Sequence, residues 1–107
     1  MPNYNDKELL NEKAKIFKAL GHPTRLMMVE KLVEGECCVC ELVELAGVDF
    51  STVSRHLAVL KEAGIISDDK RGQKVFYSLK LTCIMQFVGC VETLLRAQLE
   101  AKIAMLK

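Results

Sequence analysis

Apolar residues recur at helical spacing along most of this chain and alternate in only one stretch. From Asp6 to Leu20, the positions Leu9, Leu10, Ala14, Ile16, Phe17 and Leu20 lie close to a period of about 3.6 residues, which predicts one amphipathic helix. Residues 1–5 are expected to be a loose tail. Gly21-His22-Pro23 interrupts the pattern. Pro23 suits a first helical position, where its missing N–H is not needed, and Leu26, Met28, Val29, Leu32 and Val33 make the next apolar stripe, ending at Gly35. A short helix is expected from Cys38 to Ala46, closed by Gly47.

The run from Asp49 to Ile66, D-F-S-T-V-S-R-H-L-A-V-L-K-E-A-G-I-I, is the most informative. Asp49 can cap a helix over Phe50 to Ala63 that Gly64 stops. Val53, Leu57 and Leu60 form its inner face, while Ser51, Thr52, Ser54, Arg55 and His56 form a polar face. With the preceding short helix and a Gly47-Val48-Asp49 turn this spells a helix-turn-helix over residues 38–63. In that motif the second helix enters the major groove of DNA, so these five polar residues are candidate DNA contacts. Arg55 is placed to bond guanine twice, the serine and threonine hydroxyls to meet phosphates or bases without bulk, and His56 to donate to either.

Ile65-Ile66-Ser67, the charged tip Asp68 to Gly72, and the alternating strand Gln73 to Leu79 predict a β-hairpin over residues 65–79. In the second strand Val75 and Tyr77 face one way, Phe76 and Ser78 the other. A hairpin appended to a helix-turn-helix is a winged helix, and Lys70, Arg71, Gln73 and Lys74 in its wing are candidate backbone contacts. A last helix over residues 82–106 carries Ile84, Phe87, Val88, Val91, Leu94, Leu95, Leu99, Ile103 and Leu106 along a stripe more than about 35 Å long. One small domain cannot bury such a stripe, so it is expected to pair with the same helix of a second copy, with the first helix in the same layer; the alternative is that it folds back over its own core.

Composition narrows the function. A chain of 107 residues is one domain. The formal net charge of +1 hides an asymmetry: residues 30–49 hold six acids and one base, residues 51–80 six bases and three acids. The latter excess is a modest basic footprint for nucleic acid. No secretory signal and no stretch of roughly 18 apolar residues is present, which leads to the expectation of a cytoplasmic protein with no membrane partner and with reduced thiols. In that setting the five cysteines, three of them in Glu36-Cys37-Cys38-Val39-Cys40-Glu41, favour metal or redox chemistry over a disulfide frame. Cys37-Cys38-Val39-Cys40 contains a C-x-x-C, but no βαβ alternation surrounds it, so a thioredoxin-like enzyme is not expected.

His22-Pro-Thr-Arg-Leu, Ser54-Arg-His-Leu, Leu60-Lys-Glu-Ala-Gly and Val75-Phe-Tyr-Ser-Leu together resemble the ArsR/SmtB family of metal-sensing repressors, over about residues 6 to 100. The resemblance implies a mainly α winged helix-turn-helix with a small β-hairpin. It implies a homodimer joined through its first and last helices, a palindromic double-stranded operator, and release by an inducer. It implies no enzymatic activity and no organic cofactor. The family's arsenic and cadmium/lead sensors carry a Cys-x-Cys at the start of the helix before the reader, which Cys38 and Cys40 match. Their further ligands do not carry over: Val43 stands where the arsenic pattern has a third Cys, the N-terminal arm has no Cys, and the last helix has no His for the family's zinc site.

Thiolates select soft ions, so As(III), Sb(III) or another thiophilic ion at Cys37, Cys38 and Cys40 is the expected inducer. On a regular helix Cys38 and Cys40 face apart, so gripping both would distort the first turn of the segment supporting the reader helix. Cys83 and Cys90, seven apart on the last helix, are packing residues, or an additional ligand or resolving thiol. The alternative function is a repressor of the same fold that senses thiol oxidation or reactive sulfur.

Overall fold

The computed structural model describes residues 5–106. Its elements are α1 (Asp6–Leu20), α2 (Pro23–Val33), β1 (Cys37–Cys38), α3 (Val39–Ala46), α4 (Phe50–Glu62), β2 (Ile66–Arg71), β3 (Lys74–Leu79) and α5 (Ile84–Met105). This is the winged helix-turn-helix that the pattern implied, mainly helical with a small antiparallel sheet.

Local chemistry sets most boundaries. Asn5, expected in the loose tail, instead caps α1: its side chain accepts from Glu8 N–H at 2.8 Å, and the Glu8 carboxylate accepts from Asn5 N–H at 3.2 Å. The remainder of that tail lies outside the described residues. Pro23 opens α2, and the His22 ring accepts from Thr24 N–H at 3.1 Å. Gly47 ends α3 at φ 67°, a left-handed conformation that a side chain would strain, and this bend turns the chain into α4. The last helix begins at Ile84, two residues later than expected, with Cys83 as its N-cap.

The sheet order is β1-β3-β2, so the hairpin has a third, two-residue strand that periodicity could not reveal. β1 pairs Cys37 with Tyr77 and Cys38 with Phe76. β2 pairs with β3 from Ile66↔Leu79 to Arg71↔Lys74, which reduces the tip to Gly72-Gln73. Of the expected charged tip, Asp68 to Gly72, all but Gly72 therefore lies inside a strand. Gly72, at φ 64°, makes this two-residue connection.

The core gathers Met28, Val29 and Leu32 of α2, Leu42 of α3, Val53, Leu57 and Leu60 of α4, Ile65 and Ile66, and Ile84 and Val88 of α5. Only the start of α5 joins it. Every residue from Cys90 to Leu106 is exposed, so most of this 22-residue helix stands clear of the protomer. The Cα radius of gyration is accordingly 16.8 Å, against about 13 Å for a compact chain of this length. Phe17 of α1 meets Phe87 of α5 edge-on, with ring centroids 5.6 Å apart, so the exposed apolar faces of the two helices share one layer.

Candidate nucleic-acid interface and thiol segment

Asp49 starts α4 by accepting Thr52 N–H at 3.1 Å and the Ser51 hydroxyl at 3.0 Å. Hydrogen bonds from Thr52 and Ser51 hold its carboxyl below the usual carboxylate value. With Val53, Leu57 and Leu60 buried, Ser51 and Arg55 stand exposed on the outer side, and Thr52 and Ser54 are half-buried beside them. The Arg55 guanidinium donates to the Thr52 hydroxyl at 3.4 Å. Sequence reasoning missed Phe50, whose ring is exposed at the first residue of α4.

His56 does not stand with Ser51 and Arg55, as expected. Its ring packs against His22, with centroids 4.4 Å apart, and its Nδ1 accepts from the Arg25 guanidinium at 3.3 Å. Arg25 in turn donates Nε–H to the Ala19 carbonyl at 2.6 Å. His56 thereby fastens the middle of α4 to the corner between α1 and α2. Burial, then His22, Arg25 and Arg55, push its pKa below the ordinary 6.5. The neutral ring is the folded form, so its contribution to stability is complete above about pH 6.5 and is lost as pH falls through the lowered folded value. Melting the wild type and His56→Gln from about pH 7.5 to about pH 5.5 should show a steeper loss for the wild type. Parallel profiles would remove this role from His56.

The wing residues separate. Gln73 and Lys74 are exposed at the turn. Arg71 is committed within the protein: its Nη1 and Nη2 donate to the two Glu36 carboxylate oxygens at 2.7 and 2.9 Å, and its Nε to Asp69 at 2.8 Å. Lys61 of α4 pairs with Asp68 of β2 at 2.9 Å, tying the reader helix to the wing. The partners of Glu36 and Lys61 could not be read from the sequence, because each pair meets only after folding.

The three clustered cysteines point in two directions. Cys37 lies in the core, opposite Tyr77, with its Sγ 3.8 Å from the Gly35 carbonyl; burial, then Glu41, pushes its thiol pKa up. Cys38 faces the other side of the sheet and is also buried, while Cys40 is exposed in the first turn of α3. The expectation that Cys38 and Cys40 face apart on a helix does not hold. Cys38 is extended, at φ -76° and ψ 158°, and this places the two sulfurs together as a disulfide across a Cα separation of 5.4 Å. No helical turn has to unwind to join them. Among the described residues no three His, Cys, Asp or Glu side chains are gathered as metal ligands, and Cys37 would have to leave the core to join the pair. Cys37 thus stands apart from the Cys38–Cys40 pair, where the sequence reading grouped all three. Cys83 and Cys90 are free and exposed, not packed into the protomer.

No helix among the described residues is long and apolar enough to cross a membrane. A family model described as bacterial regulatory protein, arsR family, matches residues 22–68, from the α2 cap into β2. The biofilm growth-associated repressor of Xylella fastidiosa (strain 9a5c) is 41% identical over 88 residues, which cover 82% of this chain and 77% of that protein. The chain belongs to the arsR family. Members of the arsR family are DNA-binding transcriptional regulators rather than enzymes. This arsR-family chain is also similar to the arsenic resistance transcriptional regulator ArsR1 of Pseudomonas putida, 46% identical over 65 residues, covering 60% of this chain and 51% of that one. In structure it is similar to the homodimeric winged helix-turn-helix DNA-binding domain from Mycobacterium bovis, with a TM-score of 0.75, 25% identity, and coverage of 94% and 95% of the two chains.

Proposed function

We propose that this arsR-family regulator is a cytoplasmic repressor that holds a palindromic operator as a homodimer and releases it when the sulfurs of Cys38 and Cys40 are tied together. One observation carries this reading. The two sulfurs meet where β1, paired with the wing strand β3, gives way to α3, the helix packed against α4. A bond formed or broken there bears on the wing and the reader helix at once. Oxidative closure takes two electrons and two protons from the thiols. A peroxide takes these up and leaves as two waters. A polysulfide instead forms a persulfide on one cysteine, from which the other thiol displaces hydrosulfide. A second closure, chelation of As(III), Sb(III) or another thiophilic ion by the same two thiolates, is favoured by the similarity to the Pseudomonas putida arsenic regulator.

Reduced protein should hold operator DNA, let go on adding peroxide or polysulfide, and rebind when a dithiol reductant is restored. Arsenite added under reducing conditions tests the chelate separately. Cys38→Ser and Cys40→Ser should each abolish the response, while Cys83→Ser and Cys90→Ser retain it. Release that persists in both of the first two variants sinks the proposal.

On the DNA side, Ser51, Thr52, Ser54 and Arg55 of α4 meet the major groove, and Gln73 and Lys74 of the wing meet the backbone. The half-sites lie about one helical turn apart, roughly 34–36 Å. Arg55→Ala should cost ~1–3 kcal/mol of operator affinity and relax the base preference at one position. Affinities measured on the operator and on single-base variants check this, and an unchanged affinity would take Arg55 out of the reading.

A further inference from the structure

The register of the sheet places Cys38, Phe76 and Asp69 side by side across three strands. Alternation puts Glu36, two residues before Cys38, and Arg71, two residues after Asp69, on that same face. Arg71 starts from the outer strand β2 and crosses the central strand β3, with its guanidinium 4.7 Å from the centre of the Phe76 ring. It ends in a two-pronged hydrogen bond on Glu36, next to the cysteine segment. Asp69 holds its root. An isolated exposed ion pair contributes little. Here a planar fork matched to a carboxylate, a second carboxylate and an aromatic face fix one long side chain in one geometry.

We infer that Arg71 is a positioning residue: as a strap over Phe76 from Asp69 to Glu36, it sets the attitude of the wing against the cysteine segment instead of pairing with DNA phosphate. Contact between wing and backbone then falls to Lys70, Gln73 and Lys74, all exposed. Resting on the sulfur switch proposed above, the strap is also the route by which closure of Cys38 with Cys40 reaches the wing, because Glu36 lies two residues before Cys38, immediately ahead of β1. Arg71 keeps Glu36 below the usual carboxylate value, so the strap persists at neutral pH.

Glu36→Gln, Arg71→Ala and the double variant test this with three readouts in the full-length protein. The first is amide hydrogen exchange in β2 and β3 of the free, reduced protein, with the α4 amides as a control for folding. Arg71→Ala, which removes the contacts with Glu36, Asp69 and Phe76, should speed exchange in the two strands more than Glu36→Gln, which weakens only the first, and the double variant should add nothing beyond Arg71→Ala. The second is the salt dependence of operator binding, which Arg71→Ala should leave unchanged. A slope flattened by about one phosphate contact, or tighter operator binding in Glu36→Gln, would show instead that Arg71 is a phosphate ligand and overturn the inference. Unaltered strand exchange in Glu36→Gln would overturn it as well. The third is the ratio of operator affinities before and after oxidation, expected to fall toward one in both single variants. If the wild type itself shows no such ratio, the sulfur switch fails, while exchange and salt slope still judge the strap.

Discussion

Leu95→Glu combined with Leu99→Glu should convert the protein into a folded monomer that no longer holds a two-site operator. Both leucines are more than half exposed on α5, in a run where every residue from Cys90 to Leu106 is exposed. Removing them therefore takes nothing from the protomer core, which α5 joins through Ile84, Met85 and Val88 at its start. In a dimer paired along α5 the same two residues count twice. Burial of a leucine contributes about 1.5–3 kcal/mol, so four of them supply on the order of 10 kcal/mol, and unpaired carboxylates in their place add a desolvation cost. That is enough to move micromolar or tighter association out of reach at ordinary protein concentrations. Sedimentation should show one chain per particle, circular dichroism should keep its helical signal, and operator affinity should fall to that of a single half-site. A variant that stays dimeric would place the interface elsewhere.

Leu57→Ala should cause a large loss of protomer stability while leaving Ser51, Thr52, Ser54 and Arg55 in place. Leu57 is 1% exposed on the inner face of α4, among the residues that hold the reader helix to the core. Cutting a buried leucine to alanine removes its transfer free energy and leaves a cavity, together about 2–5 kcal/mol. A domain of this size has only about 5–15 kcal/mol in hand. The melting temperature should fall by about 10 °C or more, measured at fixed protein concentration because dimerisation adds to apparent stability. Operator affinity well below the melting point should change far less than in Arg55→Ala. A loss under about 1 kcal/mol would mean that the surrounding side chains close over the gap.

Much of the frame was legible because it rests on local rules. The inner face of α4 could be read from Val53, Leu57 and Leu60, its start from Asp49, and the turn before it from Gly47, since capping and periodicity act over a few residues. The same rules erred where a distant partner decides the conformation. Cys38 was read as the start of a helix, but pairing with Phe76 draws it into a strand, and that one extended residue turns the sulfur of Cys38 to meet that of Cys40. Arg71 looked like a wing cation seeking phosphate until Glu36, 35 residues earlier, proved to hold it. His56 looked like part of the outer face of α4 until His22 and Arg25 took its ring.

By itself, then, the order of residues determined the helices, the hairpin, an apolar stripe too long for one protomer, and the presence of neighbouring thiols, because each depends on spacing along the chain. Tertiary structure alone decided which thiols meet, which basic residues are held by acidic partners, and how the cysteine segment touches the wing. Those outcomes depend on side chains that meet across strands and helices far apart in sequence, and no local periodicity encodes such meetings.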